Sequence, residues 1–264
     1  MKLILRVWFY EMIDLSYYAK IRLYVPNELI LTKRIELNKK QSHYLMNVMR
    51  KKIHDTFLVF NSVNGEFLAK IQSNNKKLIS VEVIKKIREP EEQTDVWVMF
   101  APVKKTPTEY IIQKATELGA SKIMPLITER TITKSINLKR FQDIAIEASE
   151  QCERITMPEI YPLQKLYDVI DNWVEKRNIY YGDETMRHDK QSSNNFNKST
   201  NSSCGAILVG PEGGFTTKEI SYLKQKKFVI PINFGPRILK SDTAVVTALV
   251  LWHTLNGDMK NSFY

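Results

Sequence analysis

Read as apolar and polar positions, the chain divides at Glu89-Pro90-Glu91-Glu92-Gln93, a charged stretch bearing a proline that predicts a linker. Before it, residues 21–88 predict a compact β-rich segment. Thr56–Phe60 and Glu66–Ile71 flank Asn64-Gly65, a dipeptide whose tolerance of positive φ suits a tight hairpin turn. Leu78–Ile84 alternates as a further strand, and Asn38–Met49 predicts a short helix with Leu45, Val48 and Met49 on one face.

Beyond the linker the period changes. Val96–Phe100 predicts a buried strand. Thr106-Pro107-Thr108-Glu109 predicts a helix start, with proline at the first helical position, where its missing N–H costs nothing. Ile111, Ala115 and Leu118 mark the apolar face of that helix, Gly119 its end, and Ile123–Ile127 the next strand. A βαβ unit of this kind implies a parallel sheet. Phe141, Ile144, Ala145 and Ala148 mark an amphipathic helix, and Ile179–Gly182 a strand ending in a loop. The polar run 191–203 predicts a surface insertion, within which the Asn197–Ser199 sequon carries no meaning without a secretory signal.

Two strand–loop–helix units follow in succession. Ala206–Val209 is a short apolar strand, Gly210-Pro211-Glu212-Gly213-Gly214-Phe215 the loop, and Thr216 with Glu219 stands at capping-box spacing for a helix. Phe228–Asn233 is the second strand, Phe234–Lys240 its loop, and Ser241 or Asp242 the expected cap. The last helix, Asp242 to Leu255, is apolar almost all round and demands burial on several sides. Glycines after a buried strand let backbone N–H groups approach a ligand. Neither loop is a G-x-G-x-x-G or P-loop pattern. One such loop is as readily a tight turn; two in succession predict a ligand crevice at the carboxyl ends of parallel strands.

Charge adds a partner. The formal net charge of +10 suits a polyanion, although a lysine-rich background would give the same excess. Cys152 and Cys204 lack metal or redox spacing, and His43, His54, His188 and His253 form no ligand cluster, so no metal is expected. Arg6, Glu11 and Asp14 interrupt the apolar amino terminus, which predicts neither a signal peptide nor a membrane span. Residues 1–20 read as an extension of a cytoplasmic protein.

At this point the residues carry a resemblance. Leu208-Val209-Gly210-Pro211-Glu212-Gly213-Gly214-Phe215 and Gly235-Pro236-Arg237-Ile238-Leu239-Lys240-Ser241-Asp242-Thr243-Ala244 resemble the two signature loops of the ribosomal RNA small-subunit methyltransferase E family. Lys114–Gly119, Thr128-Glu129-Arg130 and Glu150–Arg154 are similar to further stretches of that family. His43, Val48 and Arg50 with the following hairpin resemble its PUA-like domain. The likeness spans roughly residues 21–258, with several separated motifs supporting one another. It implies a SPOUT-type α/β fold, a trefoil-knotted parallel sheet with helices on both faces, over residues 90–264. It also implies a small β-rich PUA-like RNA-binding domain over 21–89, and a homodimer. Phe234 stands where the family usually has Leu, Lys240 where it has Arg, and Asp242 where it has Glu. Lysine removes the bidentate geometry of arginine, so a clamp at position 240 is weakened.

The resemblance further implies S-adenosylmethionine as methyl donor and N3 of a uridine in 16S ribosomal RNA of the small subunit as acceptor. Alternatives are a SPOUT methyltransferase acting on another RNA site and a non-catalytic RNA-binding assembly factor. Methylating an imide nitrogen requires alignment with the sulfonium methyl, loss of the N3 proton and stabilisation of charge on O2 and O4. Arg237 is the candidate for that stabilisation. Glu212 either accepts the proton, directly or through water, or braces its loop. Main-chain groups of Leu208, Val209, Gly210, Ile232, Phe234, Gly235, Ile238 and Leu239 are expected around the donor. Arg50, Lys51 and Lys52 are expected to contact phosphates, which positions RNA without reading its sequence, and Arg130 and Arg154 are secondary candidates for binding the target RNA.

Overall fold

The computed structural model describes residues 21–75, 78–173, 176–186 and 204–260. The extension at residues 1–20 and the polar insertion at 191–203 lie outside the described residues. Contacts divide the chain into two compact units: the described residues up to Glu92 together with Ser149–Thr156, and Gln93–Ala148 with the residues from Met157 onward.

In the first unit, β1 (Arg22–Tyr24) and β2 (Arg34–Glu36) precede α1 (Lys39–His43), which runs into a π-helical turn at Tyr44–Val48. β3 (Thr56–Asn61), β4 (Gly65–Asn75) and β5 (Leu78–Arg88) complete a sheet of order β1-β3-β4-β5-β2. The Asn64-Gly65 turn joins β3 to β4 in antiparallel register. Asn38 caps α1 through a capping box with Gln41. Of the expected apolar face only Leu45 is buried; Val48 and Met49 are 57% and 40% exposed. The wider π turn changes the register on which that face was counted.

The second unit alternates strands and helices. Its elements are β6 (Asp95–Phe100), α2 (Lys105–Glu117), β7 (Lys122–Ile127), α3 (Leu138–Gln151), β8 (Glu159–Ile160), β9 (Gln164–Lys165) and α4 (Leu166–Asp171). β10 (Ile179–Gly182), β11 (Cys204–Val209), α5 (Thr217–Lys224), β12 (Val229–Ile232) and α6 (Ser241–Asn256) follow. The sheet has the order β12-β10-β11-β6-β7-β8, with β9 also on β7, and all these pairs are parallel.

Strand alternation sorts the core into two layers. Val98, Phe100, Ile207 and Val209 pack with Ile111 of α2, Phe141 of α3 and Val245 of α6. Met99, Leu126, Leu208 and Tyr181 pack with Val169 of α4 and Leu223 of α5. Helices therefore cover both faces, as an all-parallel sheet requires.

Two helix starts differ from expectation. α2 begins at Lys105 with Lys104 at its N-cap, so Pro107 is its third residue. Proline is tolerated there because the first-turn N–H groups have no intrahelical acceptor. At α6 neither Ser241 nor Asp242 caps; Lys240 holds the N-cap position without a side-chain bond. Ser241 is drawn elsewhere, into the site below. The apolar circumference of α6 is only partly covered: Ala248 and Trp252 are buried, whereas Val250 is 37% exposed.

Residues 149–156 belong with the first unit through Arg22. This buried side chain pairs with the buried Glu66 carboxylate and stacks 4.2 Å from the Phe60 ring centre. Its guanidinium also donates to the carbonyls of Ser149 at 2.8 Å, Glu150 at 3.2 Å and Arg154 at 3.3 Å. The first two are carbonyls of the last turn of α3, which has no intrahelical donors for them, and the third lies in the segment that follows the helix.

Candidate active site

β12, β10 and β11 lie side by side in the sheet, so the loops leaving their carboxyl ends meet. Between them lies a cavity of about 250 Å³. The loop after β11 turns through a Gly214 N–H to Pro211 carbonyl bond of 2.8 Å and enters α5 at Thr216. Thr216 and Glu219 form the expected capping box, and the buried Glu219 carboxylate also accepts from the Glu129 N–H at 2.8 Å. Arg130 donates to the Gly213 carbonyl from the adjacent loop.

The loop after β12 is set by Asn233. Its Oδ1 accepts from the Gly235 N–H and its Nδ2 donates to the Met186 carbonyl, each at 2.8 Å. Gly235 has φ +101°, a conformation that side chains with a Cβ rarely adopt, although a Cβ there would meet nothing within 4 Å. Backbone geometry, rather than space, is what demands glycine. The two signature loops are tied by Ser241 Oγ donating to the Gly210 carbonyl at 3.0 Å.

The third wall, after β10, was not singled out as chemistry in the sequence. Asp183 is buried; Oδ1 accepts from the Thr185 N–H at 3.0 Å and hydroxyl at 2.6 Å, and Oδ2 from the Tyr181 hydroxyl at 3.0 Å. Lys224 lies 3.4 Å from the same carboxylate. Burial alone would raise its pKa, but the Thr185 and Tyr181 hydrogen bonds and the Lys224 charge outweigh this and hold it below the usual aspartate value. Burial, with the Asp183 charge beside it, pushes the Tyr181 phenol up. The legible signal was an aspartate two residues before a threonine after a buried strand, a local Asx turn.

Most expected donor-binding residues converge. Val209, Gly210, Ile232, Phe234, Gly235, Ile238 and Leu239 line the cavity, as does Arg237. Arg237 is exposed and makes no hydrogen bond or ion pair among the described residues. Three of the main-chain carbonyls are already engaged: Val209 accepts from Ala101, Ile232 from Asp183 and Gly210 from Ser241. Each keeps a second lone pair.

Leu208 does not reach the cavity. It is fully buried one residue before the carboxyl end of β11, and its backbone is flanked by Tyr181 on one side and Met99 on the other. Glu212 is exposed on its turn, outside the cavity wall, and braces no described residue by a hydrogen bond. Arg130, expected at RNA, lines the cavity itself. Arg154 belongs to the first unit, where its Nε donates to the Thr156 hydroxyl at 2.8 Å. Arg50, Lys51 and Lys52 are in that unit too. Arg50 and Lys52 are exposed, Arg50 in left-handed backbone geometry at φ +53°, while Lys51 donates to the Thr56 carbonyl at 3.2 Å.

Comparison with known proteins gives the family. Residues 90–253 match an RNA methyltransferase domain, and residues 37–84 an RNA methyltransferase PUA domain. The ribosomal RNA small subunit methyltransferase E of Rickettsia conorii is 34% identical over 232 residues, 86% of this chain and 93% of the relative. The protein of the same name from Buchnera aphidicola is 31% identical, covering 90% of this chain and 95% of its own. A Legionella pneumophila structure with bound cofactor SAM superposes with a TM-score of 0.78 at 28% identity, over 89% of this chain and 97% of that one. The chain therefore belongs to the ribosomal RNA small subunit methyltransferase E family.

Proposed function

We propose that this protein transfers the methyl group of S-adenosylmethionine to N3 of a uridine in 16S ribosomal RNA of the small subunit. Family membership supports the substrate class, and the observation that carries the chemistry is Arg237, without a partner among the described residues, on the wall of a cavity built by the signature loops. The donor supplies an electrophilic methyl group on a sulfonium. The N3–H bond gives up its proton to water, N3 forms the new bond to carbon, and the pair of the breaking S–CH3 bond returns to sulfur. Arg237 acts on the acceptor side: its guanidinium donates to a uracil carbonyl oxygen as negative charge develops there, which favours the deprotonated base without a strong general base. Val209, Ile232, Phe234 and Leu239 offer the apolar surroundings that an adenine needs.

RNA is held by the basic, exposed Arg50 and Lys52 of the first unit, with Lys51 and Arg154 as further contacts. The protein works in the cytoplasm as a homodimer. The partly uncovered face of α6, where Val250 is 37% exposed, is the surface a second copy would bury.

The test is methyl transfer from labelled S-adenosylmethionine to small ribosomal subunits lacking the modification, with the product nucleoside identified by mass spectrometry. 3-Methyluridine is the expected product. A different methylated nucleoside would overturn the acceptor, and no transfer despite donor binding would overturn the catalytic reading for that substrate.

A further inference from the structure

The cavity wall carries two side chains of opposite charge that this chemistry leaves unused. Glu184, next to the buried Asp183, is exposed, and both its carboxylate oxygens lie 3.9 Å from where a Cβ on Gly214 would sit. Arg130 approaches the neighbouring residue: its Cδ is 3.4 Å from the corresponding position on Gly213, whose carbonyl accepts from its Nη1. All four residues line the cavity. That bond uses one of five guanidinium N–H donors. Among the described residues Glu184 has no hydrogen-bond or ion-pair partner, whereas the Asp183 carboxylate beside it is saturated by Tyr181, Thr185 and Lys224.

An anion and a cation set beside adjacent residues without side chains complement a zwitterion. A phosphate at Arg130 would be repelled by Glu184, and a simple amine at Glu184 by Arg130. An α-ammonium and α-carboxylate on one carbon satisfy both. We infer that Glu184 and Arg130 hold the amino-acid end of the methyl donor, Glu184 accepting from its α-ammonium and Arg130 donating to its α-carboxylate. This rests on the donor reading above and moves Arg130 from the RNA to the donor. The apolar wall of Val209, Ile232, Phe234 and Leu239 is then left to the adenosine end.

S-Adenosylhomocysteine and methylthioadenosine separate the two ends. Both are uncharged thioethers of adenosine at sulfur, but only the first carries the amino-acid end. In calorimetry of the whole chain, Glu184→Gln should weaken S-adenosylhomocysteine about tenfold, the scale of one charge-assisted hydrogen bond, and leave methylthioadenosine within about twofold. Arg130→Gln should do the same, and Glu184→Ala repeats the measurement without an amide that could donate. Unchanged S-adenosylhomocysteine affinity, or equal losses for both ligands, would overturn the inference. Failure of the unaltered protein to bind either thioether would overturn the donor reading itself, and this inference with it.

Discussion

Arg237 lines the cavity and has no partner among the described residues, and on the reading proposed above its charge acts on the acceptor base. Arg237→Ala should lower the single-turnover rate of methyl transfer by roughly 10²–10³, the usual cost of one oxyanion donor, while the donor dissociation constant moves little. An equal loss in both quantities would make it a donor-binding residue instead. Arg237 and most of the cavity wall were legible because each signature loop is contiguous in sequence and opens on glycine. Leu208, expected to act through its main chain, is not on the cavity wall: its backbone lies within the sheet between Tyr181 and Met99, one residue before the end of β11. Glu212 sits in the right loop yet outside the cavity. Glu184 escaped notice because what marks it, the approach of its carboxylate to Gly214, exists only in three dimensions.

Capping chemistry decides how well elements can be read. Asn38 with Gln41 and Thr216 with Glu219 are local reciprocal bonds, and Thr216 was placed from spacing alone. The start of α6 was not, because Ser241 gives its hydroxyl to Gly210 rather than to its own helix. The packing of that helix on β11 depends on a strand glycine. A Cβ on Gly205 would lie 2.5 Å from Nε1 of the buried Trp252, too close for a side chain held on all sides. Gly205→Ala should therefore destabilise the protein by about 1–3 kcal/mol in denaturant unfolding, although alanine suits a strand better than glycine in isolation. Recovery of that loss in the double variant with Trp252→Phe would identify the indole as the obstacle; no recovery would place the strain elsewhere.

Over the whole molecule, buried charge sets the response to acid. The Asp183 pKa is lowered in the folded state from the ordinary aspartate value of 3.8, so its contribution is complete above that value. It is lost as pH falls through the lower, folded value. The stability difference between the native protein and Asp183→Asn should be constant above about pH 5 and shrink below about pH 4. A difference independent of pH would show that the carboxylate charge is not what holds the loop. Asp95 responds with the same sign: burial raises its pKa, but hydrogen bonds from Arg177, Ser121 and Trp97 and the Arg177 charge carry it below normal. No local pattern announced that Arg22 would close the end of a helix whose residues lie beyond the linker, because that pairing exists only once distant segments meet. Its consequence concerns the order of events during synthesis. The first unit continues to Thr156, so 156 − 92 = 64 residues must be added after Glu92 before it is complete. At roughly 5–20 residues per second, that leaves the Arg22–Glu66 pair without its helix-end carbonyls for about 3–13 s on each nascent chain. Chains arrested with residue 92 outside the ribosome should be cleaved readily by protease, and those arrested with residue 156 outside should resist. Arg22→Met should erase that difference, since it removes the group through which the late segment reports its arrival.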